Sequence, residues 1–234
     1  MFLSEVFDYL TYGELAGLSL GGLGKGGIQP IDYPKIINNI NLGLIEIYTE
    51  FPVRTAQVNL QLHEHIGLYT LHTDFAQTNT ASTETYKYIN DSTDNPFFND
   101  ILVIDNVFNE AGDEYPINEI KEEFSVFTPT YNTIQVPFSE DTNTVDIIYR
   151  GSPSLLATEA VTLTTTWVPI PYNLLSCLIS YTLHKIHSSI GSGDSNEAGM
   201  YFKKYRDAVA LAKRIGPTVV ENNLNEKLDT KGWV

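Results

Sequence analysis

Histidine offers the first candidate chemistry. His63 and His65 stand two apart in an alternating segment, so a strand would put both rings on one face, with His72 near in sequence. Zinc uses imidazole pairs of this kind. Glu64 points the other way, however, and no cysteine supplies a third ligand, so surface or half-buried histidine is the expected role. His184 and His187, three apart on a helical pattern, read the same way. The only cysteine, Cys177, lies beside Leu174 and Leu178 on an apolar helical face, where a thiol is packing material rather than a nucleophile.

Two further patterns invite a catalytic reading and fail on context. Gly22-Leu23-Gly24-Lys25-Gly26-Gly27 has the spaced glycines of a dinucleotide site, but that motif needs a strand before it and a helix after it. Here a helical pattern precedes it and Pro30 interrupts the segment beyond it. As a phosphate-binding P-loop it has Ser19 in place of the first glycine, and Gly26 in place of the magnesium-binding hydroxyl. A flexible linker is the expectation. The carboxylate pairs Glu122/Glu123 and Asp113/Glu114 fall in acidic loops, without the burial that splits two pKa values for glycoside hydrolysis. No nucleophile elbow occurs. The expectation is therefore no catalytic residue, no metal and no cofactor.

The elements that hold these residues fall into three regions. Leu3, Val6, Phe7 and Leu10 repeat at helical spacing, with Ser4 as the expected N-cap. After the glycines, Asp32 is the expected N-cap of a second helix, with Pro34 in its first turn, an apolar stripe from Ile36 to Phe51, and Pro52 as its stop. From Thr55, Ala56, Val58, Leu60 and Leu62 alternate with polar residues, a period of two. Residues 66–71, 101–104 with 107–108, 126–127, 133–136 and 145–149 continue as short strands, and the polar run 73–99 reads as loop. This rhythm suggests a small antiparallel sandwich or barrel. Pro171 then opens a helix running to Ile190. Gly191-Ser192-Gly193 turns the chain, and Asp194 or Ser195, with Glu197 as box partner, caps a last helix that closes at Ile215 before Gly216 and Pro217.

The expected plan is α+β. N-terminal helices (1–53) and a C-terminal helical hairpin (167–216) form a helix bundle. An antiparallel β domain (54–166) is inserted between them, and an extended C-terminal tail (217–234) follows. At 42% hydrophobic residues, the chain can bury such a core without disulfides. Met1-Phe2-Leu3-Ser4-Glu5 lacks a basic leader region and no run of 18 apolar residues occurs, so neither secretion nor membrane insertion is expected. The net charge of −15 lies mostly in residues 54–166, with 17 acids against 4 bases. Such a surface does not grip phosphates; it either solvates the protein or lets DNA pass without holding it.

The C-terminal pattern is the most informative. Val168-Pro169-Ile170-Pro171 leads into Leu174-Leu175-Ser176-Cys177-Leu178-Ile179-Ser180-Tyr181. His187-Ser188-Ser189-Ile190, a short turn, and Asn196-Glu197-Ala198-Gly199-Met200-Tyr201-Phe202-Lys203-Lys204-Tyr205 come next. Together with Ile37-Asn38-Asn39-Ile40-Asn41-Leu42-Gly43-Leu44, this resembles the tubular (adaptor) proteins beneath the portal of short-tailed phages, including the ring proteins of crAss-like phages. The resemblance covers about 90 residues at the two ends.

It implies a virion structural protein: a head-to-tail connector subunit, assembled in the host cytoplasm into a homo-oligomeric ring, commonly a dodecamer. The ring would dock to the portal protein above and to downstream tail proteins below, and DNA would cross its channel without specific binding. Tyr201, Lys204, Val219, Val220 and Trp233 are the expected contact residues, the last three on an arm that orders on a neighbour or on the portal. The competing readings are a β-rich carbohydrate- or ligand-binding module, suggested by the many tyrosines, and a hydrolase with an unrecognised site.

Overall fold

The computed structural model describes residues 1–13, 15, 28–137, 139–140, 143–159, 161–190 and 195–215. It is an α+β protein whose described residues form four α-helices and antiparallel sheets. The chain divides into two compact units, Arg54–Ser152 and the remainder.

The remainder is helical. Helix α1 (Leu3–Tyr12) buries Leu3, Val6, Phe7 and Leu10, the four residues at helical spacing. Its cap differs from expectation. The helix begins at Leu3, and the Phe2 amide donates to Glu5 Oε2 at 2.7 Å, so the acid of the first turn closes the end. Ser4 instead gives its amide to the Leu163 carbonyl at 2.9 Å. Helix α2 (Tyr33–Glu50) comes after a 3₁₀ turn, Pro30–Asp32. Asp32 closes that turn by accepting from the Gln29 amide at 3.2 Å, and makes no side-chain cap on α2 itself.

Helix α3 (Leu175–Ile190) enters through Pro171 and a 3₁₀ turn, and α4 (Ser195–Ile215) packs against it. Tyr181 meets Tyr205, His184 meets Phe202 and His187 meets Tyr201, so residues early in α3 face residues late in α4. Asp194 lies outside the described residues. All four helices contribute to one core, in which each fully buried aliphatic side chain is worth about 1.5–3 kcal/mol. Gly43 lets α2 approach α3: a Cβ there would stand 2.9 Å from Leu178 Cδ1.

Residues 153–166, expected to end the β domain, belong to the helical unit. The reason is hydrogen bonding. Asn41 Nδ2 donates to the Leu156 carbonyl, and the Leu156 amide donates back to Asn41 Oδ1, both at 2.9 Å. Leu3 N to Thr166 O and Ser4 N to Leu163 O tie the same stretch to the N-terminus.

In the other unit, β1 (Thr55–Gln61), β3 (Ile89–Asn90), β4 (Ile101–Phe108) and β6 (Thr144–Gly151) form an antiparallel sheet in the order β3-β1-β6-β4. Strands β2 (Leu68–Thr70) and β5 (Thr133–Gln135) pair separately. Val58 opposes Ile147 and Leu60 opposes Val145, which puts four buried side chains on one face. Both sheets feed a single core, through Tyr69 and Ile134 from the pair and through β1 and β6 from the larger sheet. The segment expected to be loop, 73–99, contains a 3₁₀ turn (Thr73–Phe75) and strand β3, whose Ile89 is fully buried.

Candidate functional site

The histidines do not assemble a metal site. Strand β1 ends at Gln61, so His63 and His65 sit in the turn after it. Their rings lie 6.0 Å apart, and Tyr86 packs against both, at 5.3 and 4.8 Å. His72 accepts from the Asp74 amide at 3.2 Å. His184 Nδ1 lies 2.9 Å from the Ala198 carbonyl. His187 is buried and stacked on Tyr201 at 4.8 Å; Glu197 Oε2 comes within 3.0 Å of its Nδ1, but out of line for a hydrogen bond. Among the described residues no group of three or more His, Cys, Asp or Glu side chains could hold a metal ion. Cys177 is fully buried, and burial pushes its thiol ionisation up, away from the reactive thiolate.

The candidate carboxylates brace neighbouring residues or are exposed. Asp113 and Glu114 accept from Asn109 and Asn106 side chains, which brace the turn after β4. Asp100 takes Arg54 at 2.5 Å and the Tyr149 hydroxyl at 3.0 Å; burial first, then the Asp100 charge, raises the Tyr149 ionisation. Asp105 pairs with Arg150 across β4 and β6 at 2.8 Å. Glu122 and Glu123 are exposed. The glycine run 21–27 lies outside the described residues.

Among the described residues, three helix or loop surfaces bear on a partner. On α1, Tyr9 and Tyr12 are exposed; before it, Phe2 meets Trp167 edge-to-face at 5.4 Å, and Tyr172 donates to Glu5 at 3.2 Å. These aromatics stay wet, with Tyr12 82% and Trp167 60% exposed.

The second surface is a groove of about 420 Å³ between α2 and α4, lined by Glu46, Glu50, Phe202, Tyr205, Arg206, Val209, Ala210 and Lys213. Lys213 pairs with Glu50 there. Tyr205 meets Tyr181 edge-to-face at 5.1 Å, and its buried hydroxyl has no hydrogen-bond partner among the described residues. Burial, then the charges of Glu46 and Glu50, raises its ionisation, so it stays a neutral phenol.

The third surface is the loop at 116–126, which presents Ile120, 90% exposed, and Phe124, 56% exposed. Sequence reasoning marks this segment only by its acids. The signal that could have found it is an isoleucine and a phenylalanine bracketing Lys121-Glu122-Glu123.

Of the expected contact residues, Tyr201 requires correction. It is 4% exposed, and its ring is spent inside its own helical unit against His187, so it offers no surface to a partner. Lys204 is exposed, with its ammonium 4.8 Å from the Tyr201 ring centroid. Val219, Val220 and Trp233 lie outside the described residues. No described helix is long and apolar enough to cross a membrane. No protein-family model matches the chain, and no curated protein matches it.

Proposed function

We propose that this chain is a head-to-tail connector subunit of a phage virion, assembling into a ring below the portal, with a channel through which DNA passes. The observation that supports the reading is the number of apolar side chains left exposed on the helical unit: Tyr12, Trp167 and Tyr172, and on α4 Phe202 and the pair Leu211 and Ile215, which lie one turn apart on one face. Patches of this kind mark protein contacts. The likeness of both chain ends to adaptor proteins supplies the identity of the assembly.

In this reading the four helices act as a bundle, α3 and α4 form a helical hairpin, and the β insertion and the extended arm (217–234) reach neighbouring proteins. The chain performs no chemistry. Those acids of residues 54–166 that line the channel keep DNA from binding by like charge, and the others solvate the outer surface. Cryo-electron microscopy of virions that carry this chain tests the proposal. Ring density for the chain between portal and tail is expected, and its absence there overturns the reading.

A further inference from the structure

We infer that the free edge of β4 in one copy takes residues 218–220 of a second copy as an added strand. This rests on the ring reading and names one of its subunit contacts.

Strand β4 ends the sheet order β3-β1-β6-β4, so only one of its edges is paired within the sheet. Near Phe108 the other edge is covered: Tyr115 N donates to Val107 O at 2.8 Å, and Asn109 N to Asp113 O at 2.9 Å. From Leu102 to Asn106 the backbone makes no hydrogen bond to a described residue outside β6. An uncovered edge of this kind is a template for another strand. The register against β6 shifts between Ile101 and Val103 and again between Ile104 and Asn106, so the regular free stretch is short and takes a short segment.

Beside this stretch lies a groove of about 310 Å³, lined by Leu102, Val103, Ile104 and residues 128–131. The loop at 128–131 is held in place. Thr128 N donates to Asn118 Oδ1 at 3.0 Å, Asn118 Nδ2 donates to Thr128 Oγ1 at 2.9 Å, and Thr130 N donates to Thr133 Oγ1 at 3.0 Å. Pro129 has no amide to give β4. The lining carries no charge, and Asp105, next along β4, is already paired with Arg150 at 2.8 Å. A lone, uncharged, extended segment fits such a slot. The edge of a second folded sheet would bring its own 128–131 loop against this one.

The chain itself supplies the segment. Thr218-Val219-Val220 is a run of three uncharged β-branched residues, good strand formers, directly after Pro217. Residues 216–234 lie outside the described residues, and the last residue before them, Ile215, is 75% exposed, so they leave from the surface. At about 3.3–3.6 Å per residue they can reach on the order of 60 Å. Main-chain hydrogen bonds to β4 would supply the affinity, and alternate side chains would meet the groove lining. A tail on one copy and a strand edge on the next are different patches, and different patches make the heterologous contact that closes as a ring.

Full-length Tyr131→Cys and Glu221→Cys variants, mixed and treated with a short bismaleimide, test the contact; native Cys177 is buried and stays silent. Tyr131 is exposed on the groove, and Glu221 flanks the docking run without belonging to it. A crosslinked dimer is expected in the mixture and not with either variant alone. Val219→Pro in the Glu221→Cys partner removes a ladder donor outside both cores and should lower the yield about tenfold, whereas Val219→Ile should keep it. No crosslink at the highest soluble concentration, or a yield indifferent to Val219→Pro, overturns the contact. A chain carrying both cysteines, diluted into excess unmodified protein, should lose the link; a link that persists lies within one chain and overturns the contact as well. Ring density in virions without the crosslink overturns the docking and leaves the ring standing; the crosslink without ring density upholds the docking and sinks the ring.

Discussion

Asn41→Ala tests how the returning chain is held to the helices. The Asn41 amide is a clamp on one backbone residue: it gives a hydrogen bond to Leu156 O and takes one from Leu156 N, each at 2.9 Å. Leu156 is 7% exposed, so its peptide groups have little water to fall back on. Each bond contributes about 0.5–1.5 kcal/mol net, and a stranded buried group costs about 1–3 kcal/mol. Alanine recovers roughly 0.5 kcal/mol of helix propensity relative to asparagine. The expected loss is therefore about 2 kcal/mol. Asn41→Asp should lose a comparable amount, because it keeps the acceptor for Leu156 N but sets a carboxylate oxygen against the Leu156 carbonyl. Denaturant unfolding gives the global number, and amide exchange at Leu156 gives the local one, which matters in a chain of two units. A loss below about 0.5 kcal/mol in Asn41→Ala, or unchanged exchange at Leu156, would refute the clamp.

Gly43→Ala pits about 1 kcal/mol of helix propensity against a Cβ placed 2.9 Å from Leu178 Cδ1 and 3.3 Å from Tyr181 Cδ1. Leu178 is fully buried and cannot yield freely, so overpacking of about 1–3 kcal/mol should win and thermal unfolding should come earlier; a higher midpoint would show that the contact relaxes. Tyr205→Phe removes a buried hydroxyl that has no partner among the described residues, so stability should hold or rise by about 1 kcal/mol, and a loss of that size would reveal an unrecognised bond. Burial pushes the Tyr88 phenol up to about 12, while its hydroxyl both takes and gives a bond to Thr70 at 2.9 Å. The folded state then holds that proton where the unfolded chain has released it. Stability should fall from about pH 10 toward pH 12, with Tyr88 contributing at most about 1.4 kcal/mol per pH unit and the other raised phenols, Tyr149 and Tyr205, adding to it. Tyr88→Phe should flatten that slope, measured by denaturant titration across the range; an unchanged slope would assign it to other groups.

Side-chain periodicity made the helices and the long strands legible. Leu3, Val6, Phe7 and Leu10, and likewise Val58, Leu60 and Leu62, are core residues whose spacing is set by the element that buries them. The parts that escaped are held by backbone bonds and, at Leu156, by the single side chain of Asn41. The bonds from Leu3 N to Thr166 O and from Ser4 N to Leu163 O bring residues 153–166 to the helices, yet they involve no side chain and leave no pattern to read. Strand β3 is two residues long, too short to alternate, and its polar surroundings concealed Ile89. Surfaces are harder again, because residue type does not decide which side of a helix faces out. Tyr201 and Phe202 are adjacent on α4, and one step of about 100° around the axis separates them. That step leaves Tyr201 4% exposed on His187 and Phe202 40% exposed on the groove. Both are aromatic and both satisfy the same composition argument for an interface. Only packing assigns Tyr201 to the core and Phe202 to the surface.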